Sequence, residues 1–160
     1  MKRTVTWLLL ASSVLLLSVV VLAQEAAAGV AEDVAGYWSW ERANVQKSFE
    51  PSAHPVAKDI YFNEAAGPSV HDGSFPHAEG SIFVKETLDA ATLQVSVLTT
   101  MRKVAGFNPD GGDWQYGMFE RQQDGSFMGG WMDVEGAAMC IGCHVDASAK
   151  DFTFLSYLGR

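Results

Sequence analysis

The 160 residues include only two cysteines, Cys140 and Cys143, so no disulfide framework staples distant parts of the chain. Basic residues are also scarce: 11 Lys and Arg stand against 19 Asp and Glu, for a formal charge of −8. No basic cluster appears anywhere, which excludes a surface that tracks nucleic-acid phosphates. The acidity fits either a solubility feature or steering of a cationic partner at low ionic strength. Internal repeats and low-complexity linkers are missing as well. A chain of this length supports one compact domain, stabilised by packing and by any cofactor it holds.

The N-terminus does not belong to that domain. Lys2 and Arg3 precede an apolar run from Trp7 to Ala23, the layout of a secretory signal peptide over residues 1–28, with cleavage after Ala23 or Ala28. The alternative is a retained membrane anchor, since the run approaches the lower limit for crossing a bilayer. Cleavage is the expectation, and it places the mature domain, residues 31–160, in the periplasm or outside the cell.

Residues Ala35 to Phe49 place Tyr37, Trp38, Arg42, Val45 and Phe49 at three- and four-residue spacings, which predicts an amphipathic helix ending before Pro51. From Lys58 the texture becomes β-like, with strands predicted over Asp59 to Asn63, Gly80 to Leu88, Thr92 to Lys103, Trp114 to Gln122 and Ser126 to Val134. Gly67-Pro68, Asp72-Gly73, Asn108 to Gly112 and Asp124-Gly125 read as reversals. No connection is long enough for a crossover helix, so the strands form an antiparallel meander. Leu93, Val95 and Val97 share one face of their strand; Leu98 breaks the polar alternation of the other, marking a bulge, an edge, or an apolar surface that covers something other than protein. The expected fold is α+β and mainly β, with an N-terminal helix and a short C-terminal helix.

That last helix carries Cys140-Ile141-Gly142-Cys143-His144. Two cysteines three apart lie on one side of a helical turn, so both sulfurs can reach the vinyl groups on one edge of a haem, and the adjacent His144 then sits under the iron. A zinc site would need a second ligand pair that the chain does not contain. A thioredoxin-type pair would need more fold after it than the sixteen residues that follow His144. A simple disulfide is the remaining rival. Covalent attachment of one haem c, with iron bound by His144, is therefore the expectation. For the sixth iron position, Met101, Met118, Met128, Met132 and Met139 offer thioethers and His54, His71 and His77 imidazoles, most of them read as core methionines and surface histidines.

A haem motif that follows a β-rich region, together with three further blocks, resembles the family of cytochrome P-460 and cytochrome c′-beta. The blocks are Ile60 to Ala66; Phe75-Pro76 with Gly80 to Glu86; and Gly106 to Pro109 with Gly112-Asp113-Trp114. The likeness runs roughly from His54 to Phe154. It implies a β-sheet mono-haem protein in which His144 is the only protein ligand to iron and the opposite face is open to a small nitrogen-oxide ligand. In cytochrome P-460 itself a lysine is bonded to the porphyrin and hydroxylamine is oxidised; Lys85 matches that lysine, whose plain reading is a solvent-facing edge charge. His54 falls near a residue that caps the distal face. The carboxylate that accepts protons in the hydroxylamine-oxidising members falls near Leu98, an apolar residue that accepts none and that, with Phe83, would instead wall the distal side. Glu86, Asp113 and Glu120 are other carboxylates with no assigned place. The resemblance thus implies either hydroxylamine or nitric oxide chemistry or simple capture of NO or CO; an electron carrier with a filled sixth site ranks behind both. A redox partner cytochrome and a homodimer are also implied.

Overall fold

The structure, a computed structural model, describes residues 29–45, 54 and 58–154. The signal segment expected over residues 1–28 lies outside them. Six strands form one sheet in sequence order: β1 (Glu41–Arg42), β2 (Lys58–Phe62), β3 (Ile82–Leu88), β4 (Val95–Lys103), β5 (Trp114–Arg121) and β6 (Phe127–Trp131). Every neighbouring pair is antiparallel. The meander read from turn residues and period-two patterning is what forms, and the fold is mainly β with few helices. Among the described residues two short α-helices accompany the sheet, α1 (Gly67–Asp72) and α2 (Ala138–His144).

The N-terminal end departs from expectation. Where an amphipathic helix was predicted over residues 35–49, of which 46–49 lie outside the described residues, residues 37–39 make a single 3-10 turn and Glu41–Arg42 pair with Phe62 and Tyr61 as an edge strand. Local periodicity loses here to tertiary contacts. Gly36 takes a left-handed backbone just before the turn, with φ 81°; Tyr37 is buried and donates its hydroxyl to Glu86 Oε1 at 2.8 Å; Trp38 and Val45, two of the supposed apolar stripe, are exposed. Asn44 then acts as a piece of extra strand, donating to Lys58 O and accepting from the Ile60 N–H at 2.9 Å. The opposite surprise is α1. Gly67-Pro68, read as a turn, opens a helix because proline at its first positions lacks only an N–H that has no helical partner anyway.

The sheet buries both faces. On one face Ile60, Phe62, Phe83, Met101, Trp114 and Tyr116 pack against Val70 of α1 and against Cys140 and Ile141 of α2. On the other, Ile82, Val84, Leu98, Phe119 and Phe127 pack under Val34 and Tyr37 of the N-terminal segment. Full burial of each such side chain contributes about 1.5–3 kcal/mol. A register shift between Thr87 and Leu88, which pair with Val97 and Val95, interrupts the alternation. Such a bulge re-aims side chains, so Val95 joins the second core while Val97 faces the first side. Leu93, expected to share their face, lies before the strand with φ 58° and is exposed.

Candidate haem site

A cavity of about 660 Å³ opens on the first face, between the sheet, α2 and His54. That is within the range of cofactor-sized pockets, roughly 300–1,000 Å³. Residues singled out by motif or resemblance from three distant parts of the chain converge on it: Cys140, Cys143 and His144 from α2, Lys85 from β3, and His54 all line its wall. Three antiparallel pairings explain the sheet's share. Ile60 pairs with Lys85, Lys85 with Thr99 and Thr99 with Met118, so these four form one row across the cavity floor. Phe83, Met101 and Tyr116 form the next row.

Within α2, one helical turn separates Cys140 from Cys143, and the two thiols are free rather than joined. The simple disulfide is therefore not what the structure contains. Burial pushes the Cys140 thiol upward. His144 Nδ1 lies 2.7 Å from the carbonyl of Phe152. A carbonyl can only accept, so Nδ1 carries the proton and Nε2 keeps the lone pair that a metal needs. Tyr116 and Phe154 meet the imidazole edge-on, with ring centroids 5.0 and 5.2 Å away, and fix its plane. Burial lowers the pKa of His144, with Lys85 adding to the effect and the Phe152 hydrogen bond opposing it, so the neutral ring is favoured.

Two further groups are perturbed across the cavity. The Lys85 amine is lowered to about 8, first by burial and then by the neighbouring Lys58 ammonium. Lys58 is itself buried, two positions from Ile60 on the same side of β2. Lys85 is thus not the solvent-facing edge lysine of its plain reading. His54 is lowered to about 4 by burial, then by Lys85, His144 and Lys58, and is neutral at pH 7.

Leu98 requires correction. Its residue is 0% exposed and sits among Val84, Phe119 and Tyr37 on the opposite face, so it does not line the cavity. Its neighbours Val97 and Thr99 do. Chain counting landed one residue from the wall, and in a strand one residue is a change of face. Phe83 does line the cavity. None of the unplaced carboxylates reaches it: Glu86 faces Tyr37, Asp113 Oδ1 accepts from the Asn108 N–H, and Glu120 is exposed. The one carboxylate among the described lining residues is Asp89 at the rim, whose Oδ1 accepts from Ala91 and Thr92 N–H groups and the Thr92 hydroxyl. Among the sixth-ligand candidates, Met101, Met118 and Met139 line the cavity; Met128 is exposed and Met132 packs in the core. His71 is a surface residue paired with Glu41 at 3.2 Å, but His77 is buried against Phe83 and Trp114, contrary to its expected surface position. Tyr116, Thr99 and the Phe152 carbonyl were not foreseen; Thr99 follows from continuing the Lys85 register into the next strand.

The donor set therefore fits a haem: an apolar cavity of suitable size, two free thiols one turn apart, and an imidazole with its outer nitrogen held and its inner one available. Fold and site together define a haem-binding cytochrome. The family model for Cytochrome P460 matches residues 34–155, most of the chain, and the chain belongs to that family. Comparison with curated proteins gave no match.

Proposed function

We propose that the chain is an exported c-type cytochrome that binds one haem through thioethers at Cys140 and Cys143, ligates iron with His144 Nε2, and receives hydroxylamine or nitric oxide on the opposite side. The observation that carries this reading is the convergence of Cys140, Cys143, His144, Lys85 and His54 on one cavity. The haem supplies the redox and ligand-binding chemistry at iron. The chain supplies the surroundings. Phe83 and Met101 exclude water and bulky ligands, and His54, neutral at pH 7, accepts a hydrogen bond or a proton from a bound N–H or O–H.

Lys85 supports the covalent bond that the resemblance implies. An amine lowered to about 8 is partly uncharged near neutral pH and can act as a nucleophile. Joining its nitrogen to a porphyrin carbon would replace one N–H and one C–H bond and would require dioxygen or a peroxide to take up the two electrons and two protons released. A second reading, capture of NO or CO without turnover, is favoured by one specific fact: Asp89, the one carboxylate on the described wall, is already engaged in a turn, which leaves His54 as a weak base. Export to the periplasm or beyond, a redox partner cytochrome and a homodimer belong to the same proposal.

Anaerobic addition of hydroxylamine and of NO to the haem-loaded protein, with a dye as electron acceptor, separates the readings. Dye reduction by hydroxylamine that is lost in Lys85→Ala, together with a blue-shifted Soret band, is the expected result. Stoichiometric NO binding without dye reduction would establish capture instead, and a low-spin spectrum unmoved by CO would exclude both.

A further inference from the structure

The carbonyl that receives the His144 Nδ1–H belongs to a backbone segment of unusual shape. Asp151 and Phe152 both have positive φ, 51° and 61°, a region that residues other than glycine seldom adopt, and here two occur in succession. Several contacts hold them there. Lys103 Nζ donates to both carboxylate oxygens of Asp151 at 2.6 Å, and the backbone N–H of His77 donates to Oδ2 at 2.8 Å. Trp114 Nε1–H donates to the Asp151 carbonyl at 2.8 Å, while the Lys103 ammonium lies 5.0 Å from the Trp114 ring centroid. On the far side the Phe152 ring lies against Gly112, where a Cβ would come within 2.7 Å of it.

None of Lys103, Trp114 and Asp151 lines the cavity. A buried ion pair gives little net stability over an apolar replacement, so its geometry is the more informative feature. Here the pair fixes the one turn whose carbonyl faces the axial imidazole. We propose that Asp151, anchored by Lys103 and Trp114, is a positioning residue that sets the hydrogen bond from His144 Nδ1 to Phe152 O and through it the reduction potential of the iron. This rests on the haem reading above. A firm bond at Nδ1 makes Nε2 a stronger donor and favours the ferric state; a slack turn weakens that donation.

The test uses the haem-loaded protein and its Asp151→Asn, Lys103→Gln and Lys103→Arg variants. Asparagine keeps the size of Asp151 and tolerates the left-handed backbone, so Asp151→Asn removes the charge without opposing the turn. Redox titration followed at the Soret band, and the iron–histidine stretching frequency by resonance Raman, are the readouts. For Asp151→Asn and Lys103→Gln the reduced-to-oxidised ratio at fixed potential should rise roughly three- to tenfold, about 30–60 mV at 59 mV per tenfold, with a lower stretching frequency. Lys103→Arg should stay near the parent. Unchanged potential and stretch in both Asp151→Asn and Lys103→Gln, with haem attached, would overturn the proposal. Failure of the haem reading would appear earlier and separately, as a parent protein without covalent haem or without a histidine-ligated iron.

Discussion

Replacing Leu98 by Ala shrinks an isobutyl group to a methyl in a site with no solvent access, walled by Val84, Phe119 and Tyr37. At roughly 0.8 kcal/mol per buried carbon the transfer loss is about 2.4 kcal/mol. The void left in a close-packed core adds to this, for a total of about 3–5 kcal/mol. At roughly 3–5 °C per kcal/mol for a domain of this size, the melting midpoint should fall by at least 9 °C or so. Because the side chain faces away from the cavity, the Soret maximum and the affinity for NO should remain those of the parent. Thr99→Val in the adjacent position should behave in the opposite way, with a small change in stability and a measurable change in ligand affinity, since Thr99 lines the cavity beside Lys85. Urea unfolding and spectral NO titration of both variants check this. A Leu98→Ala protein of parental stability with an altered Soret band would refute the assignment of faces.

Gly117→Ala should destabilise the sheet by about 1–3 kcal/mol, because a Cβ there would come within 2.5 Å of Thr100 Oγ1 and 2.9 Å of Trp131 Cε3; chemical denaturation measures it. Tyr37→Phe removes a buried hydroxyl donor to Glu86 and should cost about 1–3 kcal/mol, again by denaturation, with no effect on the haem spectrum. Lys85 gives a pH dependence. Its folded pKa, about 8, lies below the ordinary lysine value, so between these limits the unfolded chain binds the extra proton and stability rises with pH. In a haem-free Cys140→Ser/Cys143→Ser chain, the unfolding midpoint should therefore increase from pH 8 to pH 10, and Lys85→Met should flatten that rise.

Much of the fold was legible because its signals are local. Strand positions 59–63, 80–88, 92–103, 114–122 and 126–134 were read from period-two patterning bounded by Gly, Pro, Asn and Asp, and the strands found lie within a residue or a few of them. The run Cys140 to His144 stands out because its five residues are consecutive, and α2 brings it to the wall of the cavity. What escaped depends on long-range pairing. The expected helix near Tyr37 yields to a hydroxyl bond with Glu86, 49 residues away, which no spacing within the segment records. Leu98 was misplaced because counting back from Trp114 lands one residue away from the wall formed by Val97 and Thr99, and adjacent residues of a strand face opposite sides. The Phe152 carbonyl is a backbone group, and its orientation comes from the bonds of Lys103 and Trp114 to Asp151 and from the Phe152 ring against Gly112, partners distant in sequence.

Peptide mass spectrometry of the chain, produced in a host competent for cytochrome c maturation, tests the central claim most directly. The account predicts one haem mass on the peptide containing Cys140 and Cys143, with the Lys85 peptide joined to it. A Cys140–Cys143 peptide of unmodified mass would contradict it.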